Sequence, residues 1–347
     1  MTLETAKYAM AISEAILSDA ALPALTLLSR PAELVAILSS LLVKRLRAKR
    51  RVVDSCVKVL RYVPGKRCIV VFELTIESEE SSATESQNLI GKFYANDHGQ
   101  KVFATLQELQ SFGFADSRLA VSEPLAYDPH WQLLLLDHSK GELLRNLILA
   151  QVDVDGALEG TAEWLVKLHR CRITSGRRYS LQDHLRTLEG RKNALEHVSP
   201  DAARSFEEVL ARIGSQVEKI EKWRLGPTHR DFSPDHLLVD GAHFTGLDFD
   251  EFCQYDPVFD VAHFIAHVGY LGVLHSGSLH RFDPLAKRFS AAYQSFAGIQ
   301  SLVRLEPYLA LAYLKLAHIV ALVTRPANWQ EMTDTILAEA QQFSQVK

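Results

Sequence analysis

The sequence is poor in the features that mark secreted or nucleic-acid-binding proteins. Its four cysteines, Cys56, Cys68, Cys171 and Cys253, are scattered and form no Cys-x-x-Cys pair. They are predicted to be reduced thiols, because this spacing fits neither a zinc knuckle nor a disulfide framework. The net charge of -4 gives no electrostatic footprint for nucleic acid, although it does not exclude small anionic ligands.

Long apolar runs are also missing from the sequence. Glu4, Lys7 and Glu14 interrupt the first 22 residues at helical spacing, which breaks any signal-peptide core. No stretch is expected to be long enough to span a bilayer. A cytoplasmic protein without a membrane partner is therefore predicted, and the sequence does not indicate its oligomeric state.

Apolar residues are nevertheless abundant. Hydrophobic residues make up 47% of the chain and charged residues 23%, which is typical of a globular protein with a sizeable core. A chain of 347 residues exceeds one ordinary core, so two lobes or domains are expected.

Helical and strand patterns occupy separate parts of the chain. Residues 1–50 are predicted to be helical, with a leucine-rich stripe and a basic end that favours a helix C-terminus over a nucleic-acid contact. Five β-rich runs follow, with one helix after the third run and a polar loop at 77–87. This order predicts an α+β fold with a helical extension at 1–50, a sheet lobe at 51–137 and a helical lobe at 138–347.

Carboxylate and imidazole side chains are concentrated between His229 and Asp260. The segment contains HRDFSPDHLLVDG and, after a short gap, LDFDEFCQYDPVFD. Two short apolar runs alternate with the polar residues, which is typical of a β-hairpin whose loops present carboxylates at one end. In such an arrangement Asp231 can accept a proton from an attacking hydroxyl, and Asp248 can hold a divalent metal on nucleotide phosphates.

These motifs resemble the aminoglycoside phosphotransferase and choline kinase-like family of small-molecule kinases. The family pattern is His-x-Asp, Asn five positions after that Asp, Ile-Asp-Phe/Trp-Asp/Glu, and Asp-Pro-x-x-Asp. The resemblance implies a protein kinase-like, two-lobed fold with a small five-stranded antiparallel sheet and a larger helical lobe. It also implies ATP and Mg²⁺ as cofactors and a small-molecule hydroxyl acceptor. Asp231 would be the catalytic base, and Asp248 would hold the metal.

The resemblance extends to the strand-rich part of the chain. Lys92, alone on the third strand, matches the lysine that pairs with the α- and β-phosphates. Glu108 is the candidate partner of that lysine on the following helix. Backbone groups at Asp137, His138 and Ser139 match the hinge that meets the adenine.

The sequence departs from the family pattern at several positions. His236 replaces the metal-binding Asn and is either an unusual metal ligand or a defect, because an imidazole suits Mg²⁺ poorly. Asp250 or a water is the candidate for the vacant coordination position. No glycine-rich loop lies between the first two strands, so Lys66 and Arg67 in the Pro-Gly-Lys-Arg turn are the candidates for covering the phosphates. Arg230 replaces the usual Gly and is predicted to be a charge partner for neighbouring acids.

Three other residues of the motif are predicted to be structural. His229 is expected to brace the loop and not to act as an acid or base. Asp256 and Asp260 are expected to cap and brace the loop against the following helix.

Two other functions fit parts of the same pattern. A pseudokinase that binds nucleotide or a partner without transfer is favoured by His236 and by the missing glycine-rich loop. It is opposed by Lys92 and the carboxylates, whose mutual repulsion is costly unless a cation is bound. A metallohydrolase ranks lower, because the histidine spacing fits no common metal centre and leaves Lys92 unexplained.

The acceptor pocket is expected in the helices after the Asp-Pro motif. That segment brings His263, His267, Tyr270 and His275, and it is otherwise apolar. His263 and His267 lie one helical turn apart and are first interpreted as partly buried residues with satisfied hydrogen bonds. An acidic pocket would suit a polycationic antibiotic, so this composition favours a neutral hydroxylated metabolite such as a sugar, amino alcohol or glycoside.

Overall fold

The computed structural model describes residues 12–46, 50–78, 83–115, 117–217 and 225–345. The chain divides into two compact units, which we call the sheet unit and the helical unit. The sheet unit comprises the described residues of Met1–Gly141 together with Thr245–Asp250. The helical unit comprises those of Glu142–Phe244 and Glu251–Lys347. The division therefore gives the sheet unit a short segment from much later in the chain, and that segment carries Asp248 and Asp250.

The sheet unit is built on a five-stranded antiparallel sheet with the order β1-β2-β3-β6-β5. Its strands are β1 (Arg50–Val63), β2 (Arg67–Ser78), β3 (Thr84–Tyr94), β5 (Pro124–Asp128) and β6 (Leu133–Asp137). The short strand β4 (Leu119–Val121) and the helix α4 (His98–Leu109) connect β3 to β5. The helix follows the third strand, so the predicted kinase-like order of this unit is confirmed.

Lys92 lies at the centre of this sheet. It is opposite Ile69 of β2 and Leu134 of β6, and its neighbours Val70, Phe93 and Leu135 are fully buried. The predicted polar loop at 77–87 is shorter than expected, because β2 continues to Ser78 and β3 begins at Thr84. Polar side chains are tolerated in these strand ends, where exposed pairs such as Arg51 with Glu77 cross between strands. Residues 79–82 of that predicted loop lie outside the described residues.

Short helices precede the sheet and pack on it. They are α1 (Glu14–Leu17), a 3₁₀ turn (Pro23–Ser29), α2 (Pro31–Leu41) and α3 (Val43–Leu46). The predicted stripe is confirmed, since Leu34, Leu38, Leu42 and Leu46 are buried in one core with the sheet residues Val59 and Phe72. Arg45 lies in the last turn of α3, as its basic pattern predicts, and pairs with Glu123 at 2.7 Å.

The helical unit begins after the hinge segment. Its helices are α5 (Leu144–Ala150), α6 (Val154–Arg170), α7 (Leu181–Glu196), α8 (Pro200–Gly214), α9 (Val258–Ser276), α10 (Asp283–Ala297), α11 (Leu305–Ile319) and α12 (Trp329–Phe343). Its short strands are β7 (Glu142–Leu143), β8 (Arg177–Arg178), β9 (Gly226–Thr228), β10 (Leu237–Asp240) and β12 (Cys253–Tyr255), and β11 (His243–Gly246) crosses the division. β10 pairs with β7, and β12 pairs with β8 and β9, so both halves of the motif lie beside short strand pairs.

Two helices contradict the expectation that no segment is long and apolar enough to span a bilayer. They are Val258–Ser276, with mean hydropathy 1.3, and Leu305–Thr324, with mean hydropathy 1.5. In each, 72% of the apolar window is buried inside the protein. A helix surrounded by other helices is apolar on all sides, which explains why its composition approaches that of a membrane span.

Candidate active site

Lys92 and two carboxylates form a buried ion cluster in the sheet unit. The Lys92 Nζ atom lies 2.5 Å from Asp248 Oδ1 and 2.5 Å from Asp250 Oδ2. The side chains of Lys92 and Asp250 are each only 6% exposed. The lysine and Asp248 are separated by 156 positions in the sequence, so the fold brings together two residues that the motifs predicted independently.

Arg67 completes this cluster. Its Nη1 atom lies 2.9 Å from Asp250 Oδ1, and its Nη2 atom lies 4.0 Å from Asp248 Oδ2. Two cations therefore face two carboxylates. Lys66, the other candidate of the same turn, is exposed, and its backbone N–H closes the turn on Val63 O at 3.0 Å.

The charges of the cluster support one another. Burial alone would lower the pKa of Lys92, but attraction to Asp248, Tyr94 and Asp250 raises that pKa above its usual value, so the ammonium stays charged. Burial raises the pKa of Asp250, and the adjacent Asp248 carboxylate raises it further against the opposing effect of Lys92. The cluster therefore contains both cations and carboxylates, which are the groups that bind phosphates and metal ions, respectively.

Asp231 has a different set of partners in the helical unit. Lys315 Nζ lies 2.5 Å from Asp231 Oδ1 and also donates to the backbone O of Arg230 at 3.1 Å. His263 Nε2 lies 3.6 Å from the same carboxylate oxygen. Burial opposes ionisation, but Lys315, His236 and His263 outweigh it and hold the pKa of Asp231 well below its usual range. Asp231 is therefore ionised, and 30% of its side chain is exposed.

Lys315 is a site residue that the motifs did not predict. It lies on α11, 84 positions after Asp231. Its helix reads LEPYLALAYLKLAHI, in which Lys315 is the single lysine among apolar residues. A lone buried cation in such a helix is the signal that could have identified it, because an unpaired charge is rarely buried.

The backbone before Asp231 is strained. Arg230 has a φ of +65°, in the left-handed region where the family's usual glycine fits without strain. A non-glycine residue in that region costs about 1–2 kcal/mol. The Arg230 side chain compensates by pairing with Glu251 at 2.6 Å and by stacking over the Tyr179 ring at 3.8 Å. The predicted role of Arg230 as a charge partner for a neighbouring acid is confirmed.

Asp260 holds the same loop from the start of α9. Its two oxygens accept hydrogen bonds from the backbone N–H groups of His229 and Arg230, at 2.7 and 2.6 Å. His169 Nε2 lies 3.1 Å from Asp260 Oδ2. The predicted bracing role of Asp260 is confirmed.

Asp256 braces the start of the same helix. Its Oδ1 accepts from Val258 N at 3.1 Å, and its Oδ2 receives Arg304 Nη2 at 2.6 Å and the Tyr308 hydroxyl at 3.0 Å. These contacts confirm that Asp256 is structural.

The Nδ1 atom of His236 points toward the backbone of Asp231. This atom lies 2.6 Å from the backbone O of Asp231, which can only accept a hydrogen bond, so Nδ1 carries the proton. The ring stacks on His229, with 5.7 Å between ring centroids and 19° between planes. In the neutral imidazole the lone pair is then on Nε2, the atom through which His236 would ligate a metal.

The remaining predicted nucleotide residues lie at two places in the sheet unit. Asp137 ends β6, pairs with Arg45 at 3.2 Å and donates its backbone N–H to Glu123 O at 2.9 Å. His138 and Ser139 follow it and are half-buried. Glu108 is half-buried on α4, and its pairing with Lys92 stays a prediction.

The acceptor-side histidines differ in part from expectation. His263 Nδ1 lies 2.9 Å from Phe232 O, but Nε2 of both His263 and His267 is buried without a hydrogen-bond partner among the described residues. The prediction that both rings are satisfied is therefore wrong for these atoms. Tyr270 is half-buried, whereas His275 is exposed and packs against Phe282 at 6.1 Å.

The carboxylates of Asp248 and Asp250 are hard oxygen donors of the kind that Mg²⁺ prefers, so the donor chemistry fits this ion. Among the described residues, no group of three or more His, Cys, Asp or Glu side chains is arranged to hold a metal ion. The converging ligand set that a metallohydrolase needs is thus not found in that part of the chain.

Comparison with known proteins agrees with this geometry. The model of a family described as "Phosphotransferase enzyme family" matches residues 84–304. No curated protein matches the sequence significantly.

Solved structures match over almost the whole chain. Choline kinase from Cryptosporidium parvum Iowa II is 11% identical, with 90% of this chain and 94% of that chain covered and a TM-score of 0.62. A choline/ethanolamine kinase family protein from Mesorhizobium loti is 14% identical, with 91% and 95% covered and a TM-score of 0.57. ADP-bound aminoglycoside phosphotransferase APH(2'')-Ib is 14% identical, with 90% and 97% covered and a TM-score of 0.53. These matches confirm the kinase-like α+β fold.

Proposed function

This chain belongs to the phosphotransferase enzyme family, and we propose that it transfers the γ-phosphoryl group of ATP to a hydroxyl group of a small molecule. The observation that carries the proposal is the buried cluster in which Lys92 meets Asp248 and Asp250. These residue types at these motif positions are the ones that phosphoryl transfer requires.

The sheet unit binds the nucleotide in this proposal. Lys92 and Arg67 receive the phosphates, with Lys66 at the same turn, and the backbone at Asp137, His138 and Ser139 meets the adenine. Glu108 orients Lys92. Asp248 and Asp250 would hold Mg²⁺, and the ion would neutralise charge on the phosphate oxygens. Metal ligation by His236 stays a prediction from the sequence.

Asp231 acts on the acceptor. As the acceptor oxygen forms its bond to the γ-phosphorus, the bond from that phosphorus to the β-phosphate oxygen breaks and ADP leaves. The proton of the hydroxyl passes to an oxygen of Asp231. The low pKa of Asp231 keeps this residue ionised, so it is available as an acceptor and positions the hydroxyl.

One observation favours a second candidate, a nucleotide-binding protein without transfer. Lys315 pairs with Asp231 at 2.5 Å and so weakens it as a base. His236 at the metal position weakens Mg²⁺ binding in the same direction. The cytoplasmic location and the lack of a nucleic-acid or membrane partner stay predictions from the sequence.

Thermal shift and turnover assays test the proposal together. We expect ATP to stabilise the protein in a Mg²⁺-dependent manner and Asp248→Ala to remove this effect. Asp231→Asn should lower kcat by roughly 100- to 10,000-fold while nucleotide affinity is kept. Asp235→Asn is the matched control, because Asp235 is four residues away and pairs with Arg145 at 2.9 Å. Binding without turnover on a panel of alcohols supports the second candidate, and a lack of nucleotide binding contradicts both.

A further inference from the structure

The acidic side chains near Asp231 are already paired with cations. Asp231 pairs with Lys315 at 2.5 Å, and Asp235 pairs with Arg145 at 2.9 Å. The other pairs of this segment are Glu251 with Arg230 at 2.6 Å and Asp256 with Arg304 at 2.6 Å. An acceptor with several ammonium groups would need carboxylates to meet them, and these four are occupied.

Nitrogen atoms without partners, by contrast, are in excess in the helical unit. The buried side-chain nitrogens of the helical unit without a hydrogen-bond partner among the described residues include His263 Nε2, His267 Nε2, His318 Nδ1 and Arg191 Nη1. The rings of His263 and His267 lie 4.4 Å apart, and His263 Nε2 is 3.6 Å from Asp231 Oδ1. His318 lies three residues after Lys315 on α11, and Lys315 pairs with Asp231 at 2.5 Å. Buried polar atoms are usually paired, so unpaired nitrogens on these helices are available to a ligand.

Arg191 carries the charge that distinguishes this cluster. It lies on α7 and forms no ion pair within the described part of the chain, whereas Lys315 and Arg230 each have a carboxylate. Burial lowers the pKa of Arg191, and the charge of Arg230 lowers it further, while Glu251 and Asp231 raise it. Arg191 in turn contributes to lowering the pKa of His318 to about 4, after burial.

An unpaired guanidinium with a buried donor atom is costly, and an anion that reaches it removes the cost. A guanidinium also suits carboxylate and phosphate better than an ammonium does, because its planar donors match two oxygens at once. The histidine nitrogens can then donate to or accept from hydroxyl groups of the same molecule.

We propose that the acceptor is a small alcohol that carries an anionic group, a carboxylate or a phosphate, and that Arg191 binds this group. The inference rests on the proposed function and names its substrate class. The hydroxyl to be phosphorylated lies at Asp231, and the anion lies at Arg191. From the sequence we expected a neutral acceptor, whereas this proposal makes the acceptor negatively charged. The carboxylates near Asp231 are already paired and the guanidinium of Arg191 is not, and both facts select against a cationic acceptor.

Calorimetric titration in the presence of ADP and Mg²⁺ tests the site without requiring turnover. The probes are matched pairs: gluconate against sorbitol, glycerate against glycerol, and glycerol 3-phosphate for the phosphate arm. We expect at least one anion to bind about 10-fold or more tightly than its neutral partner, the ratio for one charge-assisted hydrogen bond. Kanamycin serves as the cationic probe and should not bind better than the neutral alcohols.

Variants identify Arg191 as the origin of the preference. Arg191→Gln should reduce the ratio of anion to alcohol affinity to about 1, and Arg191→Lys should keep part of it. Arg186→Gln is the matched control, because Arg186 lies on the same helix but is exposed and pairs with Asp183. If Arg191→Gln fails to fold in a thermal melt, Arg191→Lys and the salt dependence of wild-type binding decide. Salt should weaken the binding of the acid at a cationic site and should leave the binding of its neutral partner unchanged.

The outcomes separate this inference from the proposed function. Equal affinity for acids and alcohols, tighter kanamycin binding, or no binding of any acid overturns the anionic acceptor. Asp231-dependent phosphorylation of neutral or cationic alcohols would do the same while leaving the phosphotransferase intact. A failure to bind ATP contradicts the phosphotransferase itself. An Arg191-dependent preference for one anion class supports the site and distinguishes a carboxylate from a phosphate.

Discussion

The two carboxylate centres of this protein are held in opposite ways. In the sheet unit, Asp248 and Asp250 share Lys92 and Arg67, and the ion cluster is charge-balanced and nearly closed to solvent. In the helical unit, Asp231 is 30% exposed and is surrounded by an ammonium and several imidazoles, with more nitrogen than oxygen partners. The charges of the sheet-unit cluster therefore balance one another, whereas the nitrogen atoms around Asp231 lack enough oxygen partners and leave room for a ligand.

Different ligands follow from this difference. A nucleotide with a metal ion carries both signs of charge, so it can exchange with the internal ion pairs of the sheet unit without leaving a charge unpaired. An anionic alcohol would supply the oxygen atoms that the nitrogen-rich centre of the helical unit lacks. Four predictions test the contrast, from the largest expected effect to the smallest.

Removing Lys92 from the ion cluster of the sheet unit should cause the largest loss of stability. Lys92→Met leaves Asp248 and Asp250 buried side by side with Arg67 as their remaining cation, so the free energy of unfolding should fall by about 3–5 kcal/mol. Urea unfolding measures the change. Lys58→Met is the control on the same sheet, since its pair with Glu73 is 36% exposed on the lysine side and should contribute less than about 1 kcal/mol. Equal losses in the two variants would contradict the balanced-cluster description.

Removing Lys315, the cation paired with Asp231, should reduce stability less and should shift the dependence of kcat/KM on pH. Lys315→Met should lower the free energy of unfolding by about 2 kcal/mol, the contribution of a charged hydrogen bond. Because Lys315 depresses the pKa of Asp231, its loss raises that pKa, and the acid limb of the kcat/KM profile moves to higher pH. Lys192→Met, which removes a lysine on α7 that pairs with Glu196 at 3.7 Å, is the control. Superimposable pH profiles would show that Lys315 does not act on the base.

Replacing His236 by the asparagine of the family pattern should strengthen Mg²⁺ binding. His236→Asn supplies an amide oxygen, which Mg²⁺ prefers to an imidazole nitrogen, so Mg²⁺-supported turnover should rise by about 10-fold. If His236 ligates the ion, we expect the wild type to prefer Co²⁺ to Mg²⁺ and His236→Asn to reduce that preference. His243→Asn is an exposed control on β11 and should change neither quantity. A loss of turnover with Mg²⁺ would mean that His236 contributes in another way.

The imidazoles of the helical unit should make stability depend on pH. Burial lowers the pKa of His267 from 6.5 to about 4, and burial with the charge of Arg191 does the same for His318. Between pH 6.5 and about pH 4, these histidines bind protons in the unfolded chain but stay neutral in the folded one. The free energy of unfolding is therefore fully kept above pH 6.5 and falls as the pH decreases toward 4.

Urea unfolding at several pH values measures this dependence. His267→Gln should make the loss of stability shallower, whereas His243→Gln should keep the wild-type dependence. An unchanged pH dependence in His267→Gln would contradict the neutral, buried state of this ring.

Local patterns account for the part of the molecule that was predicted correctly. The order of strands, the helix after β3, and the positions of Lys92, Asp231 and Asp248 all follow from short motifs and periodicities. Short motifs predict these features because the alternation of apolar residues in a strand and the residue types of a turn depend on neighbours in the chain. The predicted loop at 77–87 was too long for the same reason: polar composition does not reveal that two exposed strands continue to pair.

Contacts between distant positions account for the rest. By itself the sequence determined the fold class and the family, because each rests on residues close together in the chain. Only the tertiary structure decided that Lys315 pairs with Asp231 across 84 positions and that Thr245–Asp250 joins the sheet unit. It also decided that Arg191 has no carboxylate partner in the described part of the chain. The physical reason is that an ion pair depends on the distance between two charges in space, and one sequence does not encode that distance locally.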